Sequence, residues 1–276
     1  MKKDYGIIKL KAVILAAGEG KRLRPLTKDR PKGMIEIAGK SLIQHQIETF
    51  QKFNIKEIFI VTGYLGNKIN FKDVSYFNNE KYDTTNMVET LFCAKEILTE
   101  EVIVSYGDII FEGKVLQKLI ESVHDLTVVV DINWKKYWEM RFDNPLSDAE
   151  SLVLDSERFI QSIGQKVNNI SEIQGQYIGL MKFQGKGLED LKKIYQQAKK
   201  QSISGSNVLN HNVKFEKSYM TDFLQALISS GLQIKSVPIK NGWLEVDSIN
   251  DYELYQKMIN DGTISEIFSF NSINKD

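Results

Sequence analysis

Cysteine is almost missing from this 276-residue chain, in which Cys93 stands alone. A single cysteine excludes an internal disulfide and any zinc or iron–sulfur site built on several thiolates, and it is typical of a reducing compartment. The three histidines, His45, His124 and His211, are scattered without the spacing of metal ligands. We therefore expect a cytoplasmic protein whose chemistry does not depend on thiols.

An excess of charge of either sign is also absent, since 36 Lys and Arg balance 36 Asp and Glu. Such a chain has no overall attraction for a polyanion, so we expect no nucleic-acid partner. No apolar run approaches the roughly 18 residues needed to cross a bilayer. The first ten residues are charged and mixed and contain no apolar signal core, so we expect no membrane partner either.

The cations that do cluster lie near the N-terminus, after a short strand and a glycine loop. Residues 12–15 are wholly apolar, as in a parallel strand buried on both faces. Small residues follow, and Gly18 and Gly20 among them allow backbone amides to close around a phosphate. Six cations then occupy twelve residues: Lys21, Arg22, Arg24, Lys28, Arg30 and Lys32. Pro25 and Pro31 prevent a regular helix there, so the segment is predicted to be an ordered loop at a polyphosphate site.

Strands and helices alternate through the first half of the chain. The apolar patterns predict strands at residues 57–64, 74–77, 101–106 and 126–131, and helices at residues 42–50, 84–97 and 114–123. This order predicts an α/β protein: a three-layer α/β/α sandwich with a mostly parallel central sheet and ligands at the carboxyl ends of the strands.

The second half of the chain is more varied. A hairpin is predicted at residues 151–155 and 159–164, and a strand at residues 176–183 should return to the sheet. Helices are predicted at residues 187–200 and 218–230, strands at residues 234–238 and 243–247, and a closing helix at residues 249–259.

Two familiar phosphate-binding signatures do not fit the chain. Gly39-Lys40-Ser41 ends like a Walker A loop, but Met34 stands where the upstream glycine should be, so we interpret Ser41 as a helix cap. Gly18-x-Gly20 imitates the dinucleotide fingerprint, but Leu23 replaces its third glycine.

A longer ordered pattern resembles the sugar-phosphate nucleotidyltransferase superfamily. It runs LAAGxGxRLxPLT from Leu15 to Thr27 and continues with Pro31-Lys32; Tyr106-Gly107-Asp108 and the segment Trp243 to Asp247 match later parts of the family pattern. The resemblance implies a Rossmann-like nucleotidyltransferase fold with a small acceptor-side subregion. It also implies one domain over residues 1–276, with a nucleotide-binding part at 10–131, an acceptor-binding part at 132–250, and a C-terminal helix and tail at 251–276.

The resemblance also assigns roles to residues. Arg22 would bind the departing pyrophosphate, and Lys32 would bridge the α-phosphate and the acceptor. Asp108 and Asp247 would hold Mg²⁺, which prefers carboxylate and phosphate oxygens. Each aspartate could instead cap a helix, and both readings stay open at this point. The predicted nucleotide-binding residues are Leu15, Ala16, Ala17, Gly18, Glu19, Gly20, Lys21, Asn86 and Gly107.

The segment from Tyr82 to Leu91 departs from the sugar enzymes. It is similar to cytidylyltransferases acting on phosphocholine and 2-aminoethylphosphonate, which favours CTP and makes Asn86 a base or ribose contact or simply a helix cap. We predict transfer of CMP to a small phosphate or phosphonate, including a phosphorylated amino acid, through acceptor contacts at Trp134, Lys166, Gln176, Tyr177 and Lys182. The Trp134 stretch could equally be core or a dimer contact.

Two rival functions and the assembly stay open. One rival is a hexose-1-phosphate nucleotidyltransferase using UTP, dTTP or GTP, since the N-terminal pattern is shared with the sugar enzymes. The other is a nucleotide-binding regulatory protein without activity, which the presence of Arg22, Lys32, Asp108 and Asp247 disfavours. A homodimer is one assembly that the sequence leaves open.

Overall fold

A computed structural model of the chain describes residues 10–270. Predictions for the opening segment 1–9 and for the last six residues of the C-terminal tail therefore lie outside the described residues. The strands are β1 (Leu10–Ala16), β2 (Glu36–Ile37), β3 (Lys40–Ser41), β4 (Glu57–Thr62), β5 (Ser75–Asn78), β6 (Glu101–Tyr106), β7 (Ile109–Phe111), β8 (Leu126–Asp131), β9 (Glu150–Leu154), β10 (Ile160–Lys166), β11 (Gln176–Phe183), β12 (Lys235–Ile239) and β13 (Trp243–Glu245). The helices are α1 (Leu42–Lys52), α2 (Met87–Cys93), α3 (Gly113–Ile120), α4 (Trp134–Arg141), α5 (Gly185–Ser202), α6 (Met220–Ser229) and α7 (Ile249–Asn260).

Seven strands form the central sheet, in the order β12-β8-β11-β6-β1-β4-β5. All of its neighbouring pairs are parallel except those of β11, which runs antiparallel to both β6 and β8. The predicted mostly parallel α/β architecture is confirmed. Parallel strands align their carboxyl ends at one edge, and that edge is where a ligand site forms in such folds.

Apolar residues cover both faces of the sheet, as a three-layer architecture requires. Along β1, Ala12 and Ile14 belong to one core cluster, which also contains residues of α1 and α3. Val13 and Leu15 belong to the second cluster, with residues of α2, α5 and α6. The continuous apolar run of β1 is therefore explained by burial on both sides.

A short two-stranded ladder lies outside the main sheet. β7 pairs antiparallel with β13, with Phe111 opposite Trp243 and Ile109 opposite Glu245. β9 and β10 form the predicted hairpin, also separate from the main sheet. Among residues 10–270, no helix is long and apolar enough to span a membrane.

The helix predicted at residues 84–97 is shorter in the structure. It begins only at Met87, because the amides of Thr84 and Thr85 both bond to the Lys81 carbonyl in a tight turn. The predicted cap at Ser41 is confirmed, since its hydroxyl accepts a hydrogen bond from the Gln44 amide at 3.2 Å.

Candidate active site

A cavity of about 360 Å³ opens at the carboxyl ends of β1 and β6. It brings together the glycine loop after β1, the turn after β6, the start of α2 and the end of β13. Its lining includes Leu15, Ala16, Ala17, Gly18, Gly20, Lys21, Arg22, Lys32, Asn86, Gly107, Asp108, Glu245 and Asp247. Most of the predicted nucleotide, catalytic and metal residues therefore share one concave surface. Of the predicted nucleotide residues, Glu19 is outside this lining and forms an ion pair with Lys21.

The glycine loop is fixed by short contacts. Gly20 has a positive φ of 62°, and a Cβ there would lie 2.9 Å from the Lys32 side chain. Thr27 holds the loop from behind by donating to the Gly20 carbonyl at 2.8 Å. A Cβ on Gly18 would meet nothing within 4 Å, so this part of the loop faces open space. Such a loop can present backbone amides to a phosphate.

Lys32 lies between two carboxylates. Its Nζ donates to Asp108 Oδ2 at 2.5 Å and to Asp247 Oδ1 at 2.6 Å. Burial disfavours its charge, but the attraction of Asp108 and Asp247 is stronger, so the pKa of Lys32 lies above its usual value. Burial likewise opposes the charge of Asp247, and Lys32 and Arg22 reverse the effect, so the pKa of Asp247 is lowered. Arg22, largely exposed, forms an ion pair with Asp247.

The helix-cap reading of the two aspartates does not hold. Asp108 is followed by β7 rather than a helix, and its Oδ1 is buried without a hydrogen-bond partner among residues 10–270. The cap of α7 is Ser248, whose hydroxyl accepts from the Asp251 amide at 3.2 Å. Neither aspartate is a helix cap, and both line the cavity.

Two carboxylates with an unsatisfied oxygen suit Mg²⁺, which binds few protein oxygens and completes its shell with water or phosphate. Within the described part of the chain, no group of three His, Cys, Asp or Glu side chains is arranged to hold a metal. A metal in this cavity would thus depend on ligand oxygens from outside the protein.

Glu245 is a site residue that the sequence reasoning left without a role. It lines the cavity, and its Oε2 lies 2.8 Å from Nη1 of Arg141. Burial raises the pKa of Glu245 to about 7; Arg141 opposes the rise, and Asp108 and Asp247 add to it. Glu245 could have been predicted from the sequence, because residues 245 and 247 lie two apart at the end of a strand and so share a face.

Asn86 both caps α2 and lines the cavity. Its side-chain Oδ1 accepts a hydrogen bond from the Met87 amide at 2.8 Å, and its main-chain amide donates to the Glu216 carbonyl at 2.8 Å. Tyr82, Thr85 and Thr90 line the same wall, which the sequence reasoning did not foresee. The recognition of a base by Asn86 stays a prediction.

The predicted acceptor role of Lys182 is wrong. The side chain is 1% exposed, and its Nζ donates to Glu101 and to the carbonyls of Ile120 and Ser122. Because β11 is antiparallel to β6, Lys182 pairs with Ile103 near the beginning of β6, away from the carboxyl ends where the cavity lies.

Two further acceptor predictions are wrong for a similar reason. Trp134 is buried and packs against Trp138. The carboxamide of Gln176 is buried and bonds to the main chain of Glu150, accepting at 3.2 Å and donating at 2.6 Å. Both side chains stabilise the fold.

The remaining acceptor predictions have different surroundings. Lys166 ends β10 and is exposed. Tyr177 packs edge-on against Tyr106, which lines the cavity, with ring centroids 5.8 Å apart. Gly179 makes room for this wall: its φ is +80°, and a Cβ there would lie 2.4 Å from the Tyr106 ring. Tyr177 therefore supports a cavity residue from behind.

Known proteins resemble this chain over most of its length. A family model described as MobA-like NTP transferase domain matches residues 12–211. The chain is 42% identical over 256 residues to CTP:phosphoglutamine cytidylyltransferase of Campylobacter jejuni, covering 89% of this chain and 98% of that protein.

Solved structures show the same fold. CTP:phosphocholine cytidylyltransferase of Streptococcus pneumoniae superimposes with a TM-score of 0.66 at 23% identity, covering 91% of this chain and all of the other. The inositol-1-phosphate CTP transferase of T. maritima gives 0.65 at 22% identity, covering 92% and 97%.

Proposed function

Because the chain belongs to the MobA-like NTP transferase domain family, we propose that it is a cytidylyltransferase that transfers CMP from CTP to a small phosphorylated acceptor and releases pyrophosphate. The observation that carries this proposal is the 42% identity to a cytidylyltransferase over 98% of that protein. The cavity supports it, because a glycine loop, three cations and three carboxylates converge there.

For the acceptor, we favour a phosphorylated amino acid. The sequence predicted phosphocholine, 2-aminoethylphosphonate or a phosphorylated amino acid, and the relative with 42% identity is a phosphoglutamine enzyme. An oxygen of the acceptor phosphate attacks the α-phosphorus of CTP, and a new P–O bond forms. The bond to the β-phosphate breaks, and pyrophosphate leaves with the electron pair.

Lys32 and Arg22 are the cations placed for this reaction. Lys32 is held rigidly by two carboxylates, so its charge is pre-positioned for the phosphate on which negative charge builds. Arg22 is more exposed and is tethered at Asp247, so it can turn toward the leaving pyrophosphate. The backbone of residues 18–20 would hold the outer phosphates.

Asp108 and Asp247 are the residues that would hold Mg²⁺. A bound magnesium ion supplies charge neutralisation at the phosphates. The unpaired Oδ1 of Asp108 supports this assignment. Asp247 would have to share its oxygens with Lys32 and Arg22, which keep it ionised.

A pyrophosphate-release assay tests the proposal. The purified chain would be incubated with CTP, UTP, dTTP or GTP, each paired with phosphoglutamine, phosphocholine, 2-aminoethylphosphonate or glucose 1-phosphate, with magnesium or with EDTA. We expect turnover with CTP and a phosphorylated amino acid, and none in EDTA. Turnover confined to a hexose 1-phosphate would overturn the proposal, as would CTP binding without turnover of any pair.

A further inference from the structure

Helix α4, which the sequence assigned to acceptor binding, contacts the segment that carries Glu245 and Asp247. The Tyr137 hydroxyl accepts a hydrogen bond from the Glu245 amide at 3.0 Å. Nη1 of Arg141 lies 2.8 Å from the Glu245 carboxylate. Tyr137 and Arg141 are four residues apart and so lie on one face of the helix. That face holds both the main chain and the side chain of Glu245.

Helix α7 binds the same segment through hydrogen bonds to Asp251. Asp251 accepts from Arg141 Nε at 2.8 Å and from Nη2 at 3.2 Å. Its Oδ2 also accepts from the amides of Asp247 at 3.0 Å and Ser248 at 2.9 Å. Arg141 therefore contacts the Glu245 carboxylate directly, and it fixes the main chain of Asp247 through Asp251.

The guanidinium group of Arg141 is sealed from the cavity. Its side chain is 0% exposed. The rings of Tyr137, Trp138 and Phe142 surround its Cζ, with centroids at 5.3, 5.4 and 5.1 Å. A group so enclosed cannot contact a substrate. A planar guanidinium with fixed partners on two edges can, however, hold two carboxylates in a set orientation.

We propose that Arg141 is a positioning residue for nucleotidyl transfer: it aims the Glu245 carboxylate into the cavity and, through Asp251, fixes Asp247 against Lys32. This inference rests on the proposed function of the cavity. Its physical basis is that small displacements of reacting or charge-bearing groups reduce rates steeply, and groups behind a metal or phosphate site carry much of the required precision.

A double-mutant cycle with Arg141→Met and Glu245→Gln tests the inference. If Arg141 acts through Glu245, Arg141→Met lowers kcat by about 10- to 100-fold, as loss of a supporting partner does at metal sites. The KM for CTP should change by less than about threefold, since the glycine loop is untouched. In the Glu245→Gln background, Arg141→Met should cost much less than it does alone. Additive losses would show that Arg141 does not act through Glu245 and would overturn that part of the inference.

Calorimetric titration of CTP provides a readout that does not depend on turnover. Arg141→Met should retain the CTP affinity of the wild type in EDTA and lose most of the gain that magnesium gives. An unchanged magnesium effect together with an unchanged kcat would contradict the inference. Absence of CTP turnover by the wild type would instead overturn the proposed function, and the titration would still test Arg141.

Two more variants serve as a matched control and as a substitute for Arg141→Met. Lys135→Met is the matched control, because Lys135 lies on the same helix, is exposed and pairs with Glu139 of that helix; we expect no change in kcat. If Arg141→Met does not fold, Tyr137→Phe carries the test, since it keeps the ring and removes the hydroxyl that receives the Glu245 amide and also bonds to the Tyr255 hydroxyl. It should lower kcat several-fold at an unchanged CTP affinity in EDTA, and a wild-type kcat for a folded Tyr137→Phe would overturn the inference.

Discussion

Nζ of Lys32 lies 2.6 Å from Oδ1 of Asp247, although 215 residues separate them in the chain. The contact joins the loop after the first strand to the segment before the last helix. Because Asp108 approaches the same ammonium from the end of β6, three distant parts of the chain meet at one charge.

Replacing Lys32 with Ala should lower kcat by at least about 10²-fold, the usual effect of removing one preorganised group that stabilises developing charge. The substitution also leaves Asp108 and Asp247 without their shared cation. Pyrophosphate release measures the effect, and Lys28→Ala, in the exposed part of the same loop, is the control. Unchanged turnover in Lys32→Ala would show that the proposed mechanism is wrong.

Replacing Asp108 with Asn should reduce turnover more than it reduces CTP binding. The amide keeps the shape of the side chain, but it removes the charge that would hold magnesium and leaves a weaker partner for Lys32. Steady-state kinetics and a CTP titration on the same preparation separate the two effects. Equal losses in both would argue against a metal role for Asp108.

Replacing His45 with Gln should flatten the pH dependence of stability below neutrality. Burial lowers the pKa of His45, whose Nε2 donates to the Ile37 carbonyl at 2.8 Å. The folded state therefore keeps the ring neutral to a lower pH than the unfolded chain, which takes up a proton below the usual histidine pKa, about 6.5. Stability from this group is complete above that pH and falls with decreasing pH, by at most about 1.4 kcal/mol per pH unit.

Urea unfolding between pH 7.5 and 5 measures this slope. His211→Gln, in an exposed loop, is the comparison variant that removes a histidine outside the core. A His45→Gln protein with the same slope as the wild type would refute the assignment.

Replacing Gly179 with Ala should raise the KM for the acceptor more than the KM for CTP. The new methyl group would lie 2.4 Å from the Tyr106 ring and force it to move in the cavity wall. Gly205→Ala is a close control, because Gly205 has φ +87° and no atom within 4 Å of the added Cβ. Both variants carry backbone strain of about 1–3 kcal/mol, and only Gly179→Ala should change the acceptor kinetics. Equal kinetic effects would exclude Tyr106 as an acceptor-side wall.

The nucleotide side of the site is predictable from sequence because its parts are local. The apolar run of β1 predicts a strand buried on both faces. The glycine loop comes next in the sequence and therefore lies at the end of that strand. Asp108 was found for the same reason, since it comes directly after a recognisable strand, β6. In parallel sheets the residues after neighbouring strands meet at one edge.

The acceptor side is less predictable because it depends on long-range pairing. The apolar pattern of β11 identifies a strand but not its direction, and its reversal places Lys182 at the far edge of the sheet. The aromatic residues of α4 could equally have been a ligand box or core. The choice between ligand box and core depends on contacts that Tyr137 and Arg141 make with residues more than 100 positions later in the chain.

The ladder between β7 and β13 determines where the chain can accept inserted residues without disturbing the cavity. Asp108 immediately precedes one of these short strands and Asp247 follows the other, so the three residue pairs between them set the spacing of the two carboxylates. Insertions in the long intervening stretch, for example at the exposed turn around Gly205, leave that spacing intact. One residue added within β13 would exchange its two faces and turn Glu245 and Asp247 away from Lys32. Divergence among relatives should therefore accumulate in loop lengths and avoid these two short segments.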